Sequence, residues 1–198
     1  TAPPVTLASG SMSRRALLQN AGVEADAVSP NVDEASTKIS MRADGLSVRD
    51  QAMRLAELKA LKVSQFKVGL VIGGDQMLNL LGDAFDKPED LETAASHLRR
   101  LSGQTHTLET AIVVAEGGAV VWRHLARPAL TMRVLSAGFI EHYVSTVGDS
   151  VLSTVGGYQL ESLGSQLFER IEGDYFSILG LPLLPLLAYL RERGVLRA

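Results

Sequence analysis

Short unbroken apolar runs alternate along this chain with longer stretches in which apolar residues recur at helical spacing, a pattern that predicts strands and helices in irregular succession. The first run, Val5 to Ala8, is strand-like and leads through Ser9-Gly10-Ser11-Met12-Ser13 into a helix opened by Arg14-Arg15-Ala16-Leu17-Leu18. Ser47 caps a further helix in which Val48, Ala52, Leu55, Ala56 and Leu58 share one side and Arg49, Asp50, Arg54 and Glu57 mostly face away, with Lys59 near its end. Val68 to Ile72 reads as a buried strand closed by Gly73-Gly74-Asp75, which sets a carboxylate at the strand's C-terminal edge. Met77 to Leu81 reads as a separate strand after a tight turn, Gly82 to Lys87 as a loop, and Pro88 as the start of a helix reaching Leu101. Thr107 to Ala115 and Ala119 to Leu125 flank Glu116-Gly117-Gly118 as a hairpin, Leu130 to Leu135 forms another strand, and Ser136 caps a helix reaching about Val147. The apolar stretch from Leu179 to Leu190 predicts a terminal helix, stopped by Gly194. Ala35 to Gly45 carries no interpretable pattern and reads as a mobile loop.

Composition narrows this picture to an α/β protein with a mixed sheet and flanking helices. At 198 residues with 46% hydrophobic and 21% charged side chains, the chain is long enough for one domain, residues 1–198, with a full core. A formal net charge of -3 argues against a nucleic-acid partner. The absence of cysteine removes disulfides, thiolate ligands and cysteine catalysis, and fits the cytoplasm. Pro182 and Pro185 interrupt the longest apolar stretch, so no membrane span is expected. The chain opens without methionine and without a secretory pattern, which suggests that a few native residues precede Thr1.

Candidate chemistry changes the picture more. A small-residue loop feeding a helix exposes backbone N–H groups, and Ser9, Ser11, Ser13, Arg14 and Arg15 surround such a place in a way that suits phosphate. Asp33-Glu34 and Asp75 supply carboxylates, while Lys59 and Lys87 supply cations. Phosphoryl chemistry requires this set: carboxylates for a divalent metal, cations for phosphate oxygens and a base to align water.

Taken together, these segments resemble the Maf family of nucleoside triphosphate pyrophosphatases over nearly the whole chain. The family's Ala-Ser-x-Ser-x-x-Arg-Arg is Ala8 to Arg15, its Val-Asp-Glu is Val32-Asp33-Glu34, and its Arg-Leu-Ala-x-x-Lys-Ala is Arg54 to Ala60. Gly74-Asp75-Gln76, Lys87-Pro88, Ser102-Gly103-Gln104-Thr105-His106, Gly173-Asp174-Tyr175 and Gly180-Leu181-Pro182-Leu183 follow in register. The resemblance implies a curved mixed α/β fold like that of the inosine triphosphate pyrophosphatases, with two lobes around a cleft. It implies hydrolysis of a nucleoside triphosphate to monophosphate and pyrophosphate, with Mg2+ or Mn2+ held by Glu34 and Asp75, and Asp75 as proton acceptor. Lys59, Lys87 and the Arg14-Arg15 region match positions associated with metal and phosphate. A homodimer is also implied.

Three family positions associated with base selection match Ser13, Gln76 and Glu161. Gln76 and Glu161 agree with the 7-methyl-GTP branch, and Ser13 agrees with neither that branch nor the one acting on thymidine and uridine triphosphates. The alternatives are therefore a dTTP/UTP pyrophosphatase and, from another class, a nucleotide-binding regulator of septum formation without turnover. Met12, Gly74 and Ser162 stand where the family usually has proline, alanine or serine, and glycine. His106 reads as a structural hydrogen-bonding residue, Trp122 as packing, and Tyr158, Tyr175 and Phe176 as core aromatics.

Overall fold

The structure is a computed structural model that describes residues 1–198. Eight strands, β1 (Val5–Ala8), β2 (Asp26–Ala27), β3 (Leu70–Leu80), β4 (Asp83–Phe85), β5 (Thr105–Glu116), β6 (Ala119–Ala126), β7 (Ala129–Met132) and β8 (Phe168–Glu172), run in the order β2-β1-β3-β5-β7-β8, with β4 on β3 and β6 on β5. Parallel and antiparallel pairs coexist, so the mixed α/β class expected from the alternating pattern is found. The chain divides into two compact units, Thr1–Gln76 with Thr110–Ala126 and Asp174–Ala198, and Met77–Glu109 with Arg127–Gly173.

In the first unit β1 lies between β2 and β3, parallel to both, with Val5 opposite Leu70 and Ala8 opposite Gly73. Every residue of β1 is buried, as a strand covered on both faces demands. Helix α1 (Met12–Asn20) starts where the Ser11 side chain accepts from Arg14 N, α2 (Glu34–Ala43) is capped by Asp33, and α3 (Val48–Ser64) by Ser47. The C-terminal half of β5 pairs antiparallel with β6. Leu7, Leu18, Leu70, Ile72, Ile112 and Leu186 belong to the main core, on which Phe176 and Trp122 pack. Trp122 stacks on Tyr189 at 5.0 Å between ring centroids.

In the second unit the end of β3 turns into β4 through Leu81 and Gly82, both at positive φ, and Asn79 Oδ1 accepts from Gly82 N. The first half of β5 pairs with β7, and β7 with β8. Helices α4 (Leu91–Leu101) and α5 (Ala137–Val147) precede three short 3-10 turns between Gly148 and Leu167. Buried His106 Nε2 meets the Tyr158 hydroxyl at 2.8 Å, and Tyr143 donates to Gly157 O. The structural reading of His106 holds.

Several sequence expectations are corrected. Gly73-Gly74 does not end a strand, because β3 continues without a turn to Leu80 and absorbs the strand expected from Met77. Asp75 therefore sits mid-strand. The segment from Ala35 onward is helical: Asp33 supplies a cap and its apolar stripe is simply thin, Met41 being the only buried residue of α2. α4 begins at Leu91, capped by Asp90 instead of opened by Pro88. The terminal stretch divides into α6 (Tyr175–Ile178) and α7 (Leu183–Glu192), separated by Gly180 at φ 114° and Pro182. Tyr175 is exposed, whereas Tyr158 is core. No helix is long and apolar enough to cross a membrane.

Candidate active site

The site grows from three elements of the first unit. Helix α3 buries Ala52, Leu55, Ala56, Lys59, Ala60 and Val63 along one stripe, so its single cation on that stripe is carried inward with the apolar residues. Gly73 permits the close approach of this helix to β3: a Cβ there would lie 2.4 Å from Ala56 O and 2.7 Å from Ala60 N. Two residues on, Asp75 is only 7% exposed. Lys59 Nζ then lies 3.0 Å from Asp75 Oδ1, 2.6 Å from Glu34 Oε1 and 3.4 Å from Gly74 O. Glu34 reaches this ammonium from the first turn of α2, where a carboxylate is favoured by the helix dipole.

The electrostatics of the cluster are set by burial. Burial raises the Asp75 carboxyl above the usual carboxylate range, Glu34 adds to the rise, and Lys59 and Arg14 oppose it. Asp75 Oδ2 is buried without a hydrogen-bond partner. An acceptor left in that state costs about 1–3 kcal/mol, more for a charged group, and marks a place prepared for a ligand or a proton. Arg14 is also buried: Nε donates to Gly180 O at 2.7 Å and Nη1 to Ser9 Oγ at 3.3 Å. Burial lowers its pKa from the ordinary arginine value, while the charges of Asp75 and Glu34 pull it back up. Ser9 also accepts from Ser11 N at 3.1 Å, so the two loop serines brace the entrance to α1.

Gln76 follows Asp75 and is half-buried, with its amide nitrogen at 3.0 Å from Thr110 Oγ1, 3.0 Å from Ser177 O and 3.1 Å from Ile178 O. Ser13 and Arg15 are exposed on α1, and Arg15 lines a hollow of about 670 Å3 together with Leu18, Val23 and Glu24. Lys87 and Glu161 belong to the second unit, both exposed, Lys87 after β4 and Glu161 in the turn before Leu163. Gly164 shapes that turn, since a Cβ on it would sit 2.5 Å from Gln159 O. The structure thus gathers Glu34, Lys59, Asp75, Arg14 and Ser9 into one cluster, and places Ser11 and Gln76 on the elements that carry it.

Sequence reasoning missed the partners that hold these groups. The Gly180 carbonyl that receives Arg14 and the Ser177 and Ile178 carbonyls that receive Gln76 are backbone atoms, which leave no side-chain signature. Thr110 is a buried threonine in an apolar run and looks like any strand residue. The fully buried Glu109, held by Arg127 at 2.8 Å and 3.0 Å and by Asn79 at 3.1 Å, also went unread.

The donor set can be tested against a divalent cation. Hard oxygen ligands from one or two carboxylates, completed by substrate phosphates, suit Mg2+. Glu34 and Asp75 converge on one ammonium, and the orphaned Asp75 Oδ2 offers a further oxygen. No group of three or more His, Cys, Asp or Glu side chains is positioned as a self-sufficient metal cage. The residues therefore fit a metal bound jointly with phosphate.

Comparison with known proteins places the chain in a family. Residues 4–193 match the model of the family described as Maf-like protein. The chain is 71% identical over 192 residues to a nucleoside triphosphate pyrophosphatase of Hyphomonas neptunium, covering 97% of each chain. It is 50% identical over 197 residues to a 7-methyl-GTP pyrophosphatase of Rhizobium meliloti, covering 99% of each, and 50% identical over 189 residues to one of Brucella abortus, covering 95% of each. With the family match spanning the buried Lys59, Asp75 and Arg14 alike, the chain belongs to the Maf family.

Proposed function

We propose that this chain hydrolyses the α-β phosphoanhydride of a nucleoside triphosphate, releasing monophosphate and pyrophosphate. The observation that carries the reading is the Glu34, Lys59 and Asp75 cluster with its unpartnered buried oxygen, set beside the buried guanidinium of Arg14. A carboxyl raised by burial is a stronger base than an exposed one, so Asp75 suits the removal of a proton from the attacking water. Lys59 holds Asp75 and Glu34 in register and neutralises their mutual repulsion before substrate arrives. Arg14, fixed by Gly180 O, supplies charge for phosphate oxygens without having to be ordered first. Lys87 takes the same task by its place in the family pattern. Glu34 and Asp75 would hold Mg2+ or Mn2+, whose chemistry there is to polarise the phosphoryl group and to lower the pKa of water.

The base is 7-methylguanine in this reading. Glu161 can accept from the N1-H and 2-amino groups of a guanine, and relatives named 7-methyl-GTP pyrophosphatases reach half identity over almost the whole chain. The cytoplasm as location and a homodimer as assembly belong to the same proposal; light scattering at two protein concentrations tests the latter. The functional test is pyrophosphate release from 7-methyl-GTP, GTP, UTP, dTTP and CTP with Mg2+ or Mn2+, and again with excess chelator. Preference for 7-methyl-GTP that vanishes on chelation is expected. Preference for UTP and dTTP overturns the base assignment, undiminished turnover under chelation overturns the metal, and tight nucleotide binding with no turnover favours a regulator.

A further inference from the structure

Two motifs of the chain, Gly173-Asp174-Tyr175 and Gly180-Leu181-Pro182-Leu183, contribute no side chain to the cluster of Glu34, Lys59 and Asp75. Between them lies α6, a helix of a single turn. A first turn costs more than its hydrogen bond returns and only propagation repays it, so in a helix this short the two ends decide the shape. At the front, Asp174 Oδ1 accepts from Ser177 N at 2.9 Å. At the back, Gly180 N donates to Ser177 O at 3.0 Å and Leu181 N to Phe176 O at 3.1 Å, a closure that requires the φ of 114° found at Gly180. Ser177 is fully buried and serves both ends, its N–H going to the cap and its carbonyl to the closure. Cap and closure together set the Gly180 carbonyl, whose oxygen accepts from Arg14 Nε at 2.7 Å.

Arg14 depends on that oxygen for its direction. Its side chain lies against two glycines: a Cβ on Gly74 would sit 3.0 Å from Nε, and one on Gly180 3.7 Å from Nε and Nη2. No side chain steers it at either place, and its hydrogen bonds run to Gly180 O and, at 3.3 Å, to Ser9 Oγ. Nη2 makes no hydrogen bond within the chain and is not among the buried unpartnered atoms, which leaves it open to a ligand. Asp75 and Glu34 attract the same guanidinium, so once freed from Gly180 O it would turn toward carboxylate and away from phosphate. We propose that Asp174 is a positioning residue: by capping α6 it holds the Gly180 carbonyl that aims Arg14 at the phosphates of the substrate. The inference rests on the phosphate role given to Arg14 above and adds the residue that directs it. Asp174→Ala removes the cap and leaves the half-buried Ser177 N–H unpaired, whereas Asp174→Asn and Asp174→Ser keep a capping oxygen.

The test measures the Kd of inorganic pyrophosphate by calorimetry in the presence of Mg2+, for the wild type, the three Asp174 variants, Arg14→Met and the double variant of Asp174→Ala with Arg14→Met. Asp174→Ala is expected to weaken pyrophosphate at least about threefold, while Asp174→Asn and Asp174→Ser stay within about twofold of the wild type. In the Arg14→Met background Asp174→Ala is expected to cost nothing more, because its effect passes through the guanidinium. A cap that served stability alone would lower the unfolding temperature and leave the Kd of the folded protein unchanged. If Arg14→Met does not fold, the ratio between Asp174→Ala and Asp174→Asn decides by itself. Native affinity in a folded Asp174→Ala, equal losses in both backgrounds, or capping variants as weak as Asp174→Ala would overturn the inference alone. The expected binding pattern without turnover of any nucleotide would overturn the hydrolase reading and uphold the inference. Absence of pyrophosphate binding by the wild type would overturn the phosphate role of Arg14 and this inference with it.

Discussion

Lys59 is the residue on which the site's electrostatics turn. It is buried on the apolar stripe of α3 and touches two carboxylates, one of them buried. Removing one partner of a buried pair costs about 3–5 kcal/mol because the other charge is left uncompensated. Lys59→Met should therefore lose about 3 kcal/mol in urea unfolding, and the double variant with Asp75→Asn should recover part of that loss, since the buried position 75 then carries no charge to compensate. Additive losses in the double variant would show that the two side chains do not act as a pair. His106 gives a separate test by pH. Burial lowers its pKa from 6.5 to about 4, so the unfolded chain takes up a proton at a pH where the folded chain does not. Stability is expected to fall as pH drops from about 6.5 to about 4, by about 3 kcal/mol, and to level off below. His106→Asn should flatten this slope in denaturation series across that window; an unchanged slope would assign the acid sensitivity elsewhere. Both residues were visible in the sequence, Lys59 as the lysine of a matched motif and Asp75 as a carboxylate after an apolar run. What they bond to was not visible, because a side chain's type is written in the sequence and its neighbour across the sheet is not.

At the scale of elements, the contact between α3 and β3 decides whether those side chains meet. Gly73 read from the sequence as punctuation, since paired glycines usually mark a turn. Its role is instead steric, as the backbone of α3 occupies the space a Cβ would need. Gly73→Ala should push the helix outward, cost about 1–3 kcal/mol in stability, and lower kcat because Lys59 is adjacent to Ala60 at the contact. Wild-type stability and activity in this variant would mean that the helix can shift without disturbing the site. The caps at Ser47 and Ser136 were legible, since each side chain accepts from the N–H three residues on. Helix α2 was not, because it buries a single residue and so lacks the periodicity by which helices are recognised.

Across the whole molecule, two lobes were implied by the family resemblance, and where the chain divides between its two units was the least legible feature. β3 and β5 each contribute one part to the first unit and the rest to the second, and no change of composition marks Gln76 or Glu109 as a boundary. Local patterns report burial and period, whereas membership of a unit depends on contacts between residues far apart in sequence. The family match over residues 4–193 covers both units. The central claim is that Asp75 performs the proton removal that releases pyrophosphate. It is tested most directly by measuring pyrophosphate and monophosphate formation by the wild type and by Asp75→Asn at matched folded concentration, with thermal unfolding as the control. The account predicts one pyrophosphate per monophosphate in the wild type and a loss of at least ~100-fold in Asp75→Asn, with the variant still folded at the assay temperature. A folded Asp75→Asn enzyme with a near-native rate, or orthophosphate in place of pyrophosphate, would contradict it.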